Sequence, residues 1–80
     1  MIAIQTKYIP ATNTLGSRIK AFTSNGQSLT LPFDYSADSE YKRYKSVALA
    51  LCSKMNWNPD IIGGGTKNGY TFVFKYDDNE

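Results

Sequence analysis

The chain has 80 residues, 41% of them hydrophobic and 20% charged, with a formal charge of +2. That length suits one thin-cored domain spanning residues 1–80, and the composition is that of a folded rather than a disordered chain. With no histidine and one cysteine, Cys52, the sequence excludes a zinc site of the usual N/S type, an internal disulfide and a His-based triad.

Ile2, Ile4, Thr6 and Tyr8 alternate with Ala3, Gln5 and Lys7, the period-two pattern of a half-buried strand. PATNTLG, from Pro10 to Gly16, then reads as a polar loop. A second strand follows, with Ile19, Ala21 and Thr23 on one face and Arg18, Lys20 and Phe22 on the other. Ser24-Asn25-Gly26-Gln27 carries the Asn-Gly signal of a type I′ hairpin, in which both central residues take φ > 0. Leu29, Leu31 and Phe33 mark a third strand, and Pro32, lacking a ladder donor, places it at a sheet edge.

At Ser36 to Ser39 the period changes, with Ser36 or Asp38 as the expected N-cap. Tyr41, Tyr44, Ala48, Leu51, Cys52 and Met55 form one apolar helical stripe. Lys42, Ser46 and Ser53 fall opposite it, Arg43 and Lys54 flank that opposite side, and Lys45 borders the stripe. The helix is expected to end near Asn56, ahead of Pro59, with Trp57 anchoring the exit against the core.

The segment IIGGGTKNGYTFVF, Ile61 to Phe74, holds four of the six glycines. A phosphate loop of the Walker type needs adjacent Lys-Ser/Thr leading into a helix. Here the order is reversed, Thr66-Lys67, and the segment leads into a strand in which Tyr70, Phe72, Phe74 and Tyr76 alternate with Thr71, Val73 and Lys75. The expectation is therefore a mobile linker, with Asn68-Gly69 turning into the last strand; a contact loop or an anion-binding nest is the alternative. The resulting order is β-β-β-α-β, an α+β fold with a four-stranded, mainly antiparallel sheet and one helix on one face. The last strand is expected beside the first.

Asp77, Asp78 and Glu80 read as a frayed acidic tail over 77–80. Without them residues 1–76 carry nine basic and four acidic side chains, a net +5 that favours anionic partners. No apolar run nears the ~20 residues of a membrane span, and MIAIQTKY lacks a signal-peptide pattern, so a cytoplasmic protein without a membrane partner is expected. The carboxylates outside the tail, Asp34, Asp38, Glu40 and Asp60, lie at turns and helix ends and form no catalytic pair. The chain is expected to be a binding protein rather than an enzyme, without metal or cofactor.

Candidate binding residues lie on two surfaces. Lys7, Arg18, Lys20, Phe22 and Lys75 should share the uncovered sheet face, a pattern that serves either base stacking with phosphate neutralisation or plain solubility. Asn13, Thr14 and Lys67 are the loop candidates. Asn13, Thr14, Ser17 and Arg18 suit phosphate or protein contacts, and equally suit a loop that satisfies its own backbone.

The opening IQTKYIPATNTLGSRIKA and the ending GGGTKNGYTFVF resemble a family of small proteins of phages, prophages and mobile elements. In that family an "IQTKY…TN…GSRIKA" start is joined to a helix, a Trp-Asn turn and a "GGG…GY.FVF" end. The resemblance runs from Ile4 to Phe74 and carries over no functional residue. It implies stoichiometric binding to a host protein or nucleoprotein complex in the host cytoplasm, of the anti-defence, anti-CRISPR-like kind. Direct nucleic-acid binding by the basic sheet face is the alternative. Both a monomer and a homodimer are open.

Overall fold

A computed structural model describes residues 3–67 and 69–75. Ile2, Asn68, Tyr76 and the acidic segment 77–80, all given places in the sequence reading, lie outside the described residues. The elements are β1 (Ala3–Ile9), β2 (Arg18–Phe22), β3 (Ser28–Pro32), α1 (Glu40–Met55), β4 (Ile61–Gly65) and β5 (Tyr70–Phe74). They build one antiparallel sheet of five strands in the order β3-β2-β1-β5-β4, with α1 across one face. The α+β class is as expected, and β5 does pair with β1.

The fifth strand corrects the expected four. Ile61–Gly65 is no linker: it pairs with β5 from Ile61↔Phe74 to Gly65↔Tyr70. The Thr66 N–H closes the hairpin on the Gly69 carbonyl at 2.6 Å. Glycine suits this strand because β5 stacks its large rings against it. A Cβ on Gly63 would collide with the Phe72 ring and stand 2.6 Å from the Thr71 carbonyl. Gly69 is confined in the same way by the Thr6 carbonyl.

Alternation sorts the strands as the sequence implied. Ile4, Thr6, Ile19, Ala21, Thr23, Ile61 and Phe72 are buried beneath the helix residues Tyr44, Val47, Ala48, Leu51 and Cys52. Burial of a large aliphatic or aromatic side chain contributes roughly 1.5–3 kcal/mol, so this layer carries most of the stability. Tyr8 shares the inner face but lies beyond the core and is exposed, with its ring edge-on to Phe33 at 5.5 Å and its hydroxyl 2.9 Å from the Ser17 hydroxyl. Thr6 is buried with both hydrogen-bonding needs met: its hydroxyl donates to the Tyr70 carbonyl at 2.8 Å and accepts from the Tyr70 N–H at 3.1 Å.

One turn differs from expectation. The β2–β3 hairpin sits at Asn25-Gly26, but only Gly26 has positive φ, 99°. The Gly26 N–H reaches the Thr23 carbonyl at 3.2 Å and the Thr23 N–H reaches Gln27 at 3.0 Å. This is a longer loop with glycine in the left-handed position, not type I′. The Thr23 hydroxyl, which donates to the Gln27 side chain and accepts from the Asn25 N–H, favours that geometry.

The helix is capped by Ser39, not by Ser36 or Asp38: the Ser39 hydroxyl accepts from the Lys42 N–H at 3.2 Å. Ser36 is engaged instead with the Asp34 carboxylate, and Asp38 pairs with Lys42 at 3.5 Å. The C-terminus stops as expected at Asn56, in the left-handed region with φ 60°. The Trp57 N–H then returns to the Cys52 carbonyl at 2.8 Å, and its ring meets Phe74 edge-on at 6.0 Å.

Candidate binding surface

Strand register divides the sheet's outward side chains into rows. One row is Lys7, Lys20 and Thr30 across β1, β2 and β3; the next is Thr71, Gln5, Phe22 and Ser28. Ile9, Arg18 and Pro32 form the row beyond Lys7, and Ile62, Val73 and Ala3 lie at the other end. Gln5, Lys7, Thr30, Ile62 and Val73 are exposed on this face.

Lys7 and Lys20 stand directly opposite each other, their ammonium groups 6.0 and 5.7 Å from the Phe22 ring centre. Phe22, in the adjacent row, is half-buried with both ammonium groups near its ring. Such cation–π contacts contribute about 0.5–1 kcal/mol at an exposed site. Arg18, two residues along the same face, is held by its Nε–H donating to the Gly16 carbonyl at 3.3 Å. No carboxylate among the described residues occupies an outward position on β1, β2 or β3.

The other candidates are placed elsewhere. Lys75 lies off the far end of β5 and pairs with the Asp60 carboxylate at 3.6 Å. Lys67 is in the β4–β5 turn, where it lines a recess of about 250 Å³ with Glu40, Tyr44, Gly65, Thr66, Gly69 and Tyr70. That recess is smaller than the ~300–1,000 Å³ of most ligand pockets, and Glu40 opposes an anion there. Asn13 and Thr14 are exposed in the β1–β2 loop. Thr12 organises that loop: its hydroxyl accepts from the Leu15 N–H at 3.0 Å and its N–H donates to the Leu15 carbonyl at 2.7 Å. The loop thus satisfies its own backbone. Of the eight candidates, Lys7, Arg18, Lys20 and Phe22 come together, while Lys75, Lys67, Asn13 and Thr14 do not.

Arg43, read as a flank of the solvated helix side, is fixed instead. Its Nε–H donates to the Asp34 carbonyl at 2.7 Å and its guanidinium lies over the Phe33 ring at 4.5 Å. Hydrogen bonds from the Ser36 hydroxyl and backbone N–H lower the Asp34 pKa. Burial raises the Cys52 thiol pKa and, with the nearby Glu40 charge, that of the Tyr44 hydroxyl. Neither group is poised as a nucleophile or base near neutral pH. Among the described residues, no three His, Cys, Asp or Glu side chains converge on a point, and no helix is long and apolar enough to cross a membrane.

The fold and face thus define a small α+β domain with one sheet surface uncovered by other elements among the described residues. No family model, curated protein or solved structure matches the chain.

Proposed function

We propose that this is a non-enzymatic binding protein whose open sheet face docks on an acidic surface of a host protein or nucleoprotein complex and blocks it. One observation carries the reading: Lys7 and Lys20 are juxtaposed beside Phe22, with no carboxylate among the described residues of β1, β2 and β3. Like charges directly opposite on neighbouring strands are destabilising, and an anionic partner relieves that repulsion. The ring beside them supplies an apolar anchor of the kind found at interface centres. The resemblance to small phage and mobile-element proteins supports a host defence complex as the target class, in the host cytoplasm.

Affinity capture from host lysate with the native chain and with a Lys7→Glu, Lys20→Glu double variant tests this reading. The native chain should retain one reproducible complex that the variant loses, and should weaken immunity to phage in cells. No reproducible partner together with unchanged immunity would overturn it.

The Lys7–Phe22–Lys20 arrangement also favours a second reading, direct binding of single-stranded nucleic acid by stacking and phosphate neutralisation. Fluorescence anisotropy over a salt series separates the two. A steep loss of affinity with salt that flattens in the double variant favours nucleic acid. No binding at low salt leaves the protein partner.

A further inference from the structure

We propose that β4 is a self-pairing edge: two copies join antiparallel through Ile61–Gly65, about a two-fold axis at Gly63, into one sheet continuous across both chains. This goes beyond the sheet-face reading and stands without it.

Hydrogen-bond geometry defines the edge. The Lys75 N–H donates to the Asp60 carbonyl at 2.9 Å and the Thr66 N–H to Gly69 at 2.6 Å. In an antiparallel ladder bonded and non-bonded pairs alternate, so Asp60, Ile62, Gly64 and Thr66 turn their backbone groups toward β5. The N–H and C=O groups of Ile61, Gly63 and Gly65 therefore point out of the sheet. An edge of this kind is a template for another strand.

The sheet's two edges are treated differently. On β3, Pro32 removes a donor, and the Lys54 ammonium covers the Ser28 carbonyl with a 3.0 Å hydrogen bond. β4, IIGGG, carries neither a proline nor a charge. A second copy fits it because the sequence is self-complementary about Gly63. Ile61 falls opposite Gly65 of the second copy on the inner face, and Ile62 opposite Gly64 on the outer face. Each isoleucine meets a bare backbone, and Ile62, now 51% exposed, lies against Gly64, around which there is open space. At the ends, Asp60, paired within its own chain with Lys75, comes opposite Thr66 of the second copy and beside Lys67, so no like charges meet there.

Sedimentation equilibrium of the full chain, from micromolar to millimolar concentration, tests the pairing. The mass should rise toward twice that of one chain. Gly65→Pro removes an outward N–H without touching the β5 ladder, and its Cβ has only Tyr70 nearby, at 3.9 Å. It should weaken association about tenfold or more, since the loss is repeated by symmetry, with an unchanged far-UV circular dichroism spectrum. Gly64→Lys, in open space, should do the same by setting an ammonium against Ile62 of the second copy, whereas Thr30→Lys on β3 should not. Mild oxidation of an Ile62→Cys, Gly64→Cys variant should give a covalent dimer. A chain that stays monomeric throughout, or a dimer indifferent to both glycine substitutions, would overturn the proposal.

Discussion

Lys7 and Lys20 face each other across the β1–β2 ladder with the Phe22 ring within reach of both ammonium groups. Opposite-charge pairs in such positions contribute roughly 0.2–1 kcal/mol and like-charge pairs oppose the fold. Lys20→Glu exchanges the like-charge pair for an opposite-charge one worth roughly 0.2–1 kcal/mol but gives up a Phe22 contact of about 0.5–1 kcal/mol, so the urea midpoint should stay close to the native one while capture of an acidic partner weakens. A variant as stable as the native chain that also binds as well would reduce these lysines to a solubility device.

Gly63 and Gly64 are neighbours on β4 with opposite tolerance. Gly63→Ala drives a methyl into the Phe72 ring and the Thr71 carbonyl, and should cost about 1–3 kcal/mol. Gly64→Ala meets open space, and should be neutral or stabilise by up to about 1 kcal/mol through the unfolded chain. Paired thermal melts check this; equal effects at the two positions would contradict the β4–β5 packing.

Thr6 serves both backbone groups of Tyr70 from a buried position. Thr6→Val keeps the shape but strands an N–H and a carbonyl, with an expected loss of about 1–3 kcal/mol. Thr6→Ser should retain most of the stability despite its smaller volume. If valine proved the milder change in chemical denaturation, the hydroxyl bridge would contribute little.

Stability should fall in alkali. Burial raises the Cys52 thiol above its ordinary 9.0 and, with the Glu40 charge, the Tyr44 hydroxyl above its ordinary 10.0. In each case the fold favours the protonated form. The contribution is thus complete below those ordinary values and is lost as pH rises toward the folded-state values. Urea midpoints from neutral to alkaline pH should decline, and Cys52→Ala should make the decline shallower. A thiol reagent at neutral pH should label Cys52 only as fast as the domain opens.

Much of the fold was legible because period-two and helical patterns dominate where side chains exist to show them. Ile4 and Thr6, Ile19 and Ala21, and the Tyr44–Leu51 stripe all face inward as their spacing implied. β4 was not legible, because a glycine run has no side chains to alternate; its strand character comes from β5, whose Phe72 ring requires a bare backbone at Gly63. The Asn25-Gly26 signal located a turn but not its type, which the Thr23 hydroxyl biases. On the open sheet face, alternation plus register placed Lys7, Lys20 and Phe22 together. Lys75 stands apart because it lies beyond the far end of β5, against Asp60, and Lys67 because it lies in the β4–β5 turn. Arg43 was misread because its reach over Phe33 depends on the path of the preceding loop.

The strand order β3-β2-β1-β5-β4 has a consequence for how the chain acquires its shape. β1, close to the start, pairs on one side with β2 and on the other with β5, the last strand in chain order. During synthesis the β1–β2–β3 meander can form early and recruit α1, but Ile4 and Ala3 wait for Phe72 and Val73. Such long-range closure slows folding and leaves an open strand flank in the interim. On the ribosome this domain is therefore complete only when β5 has emerged, so the nascent chain passes through a half-sheet stage whose vulnerable flank is β1 itself.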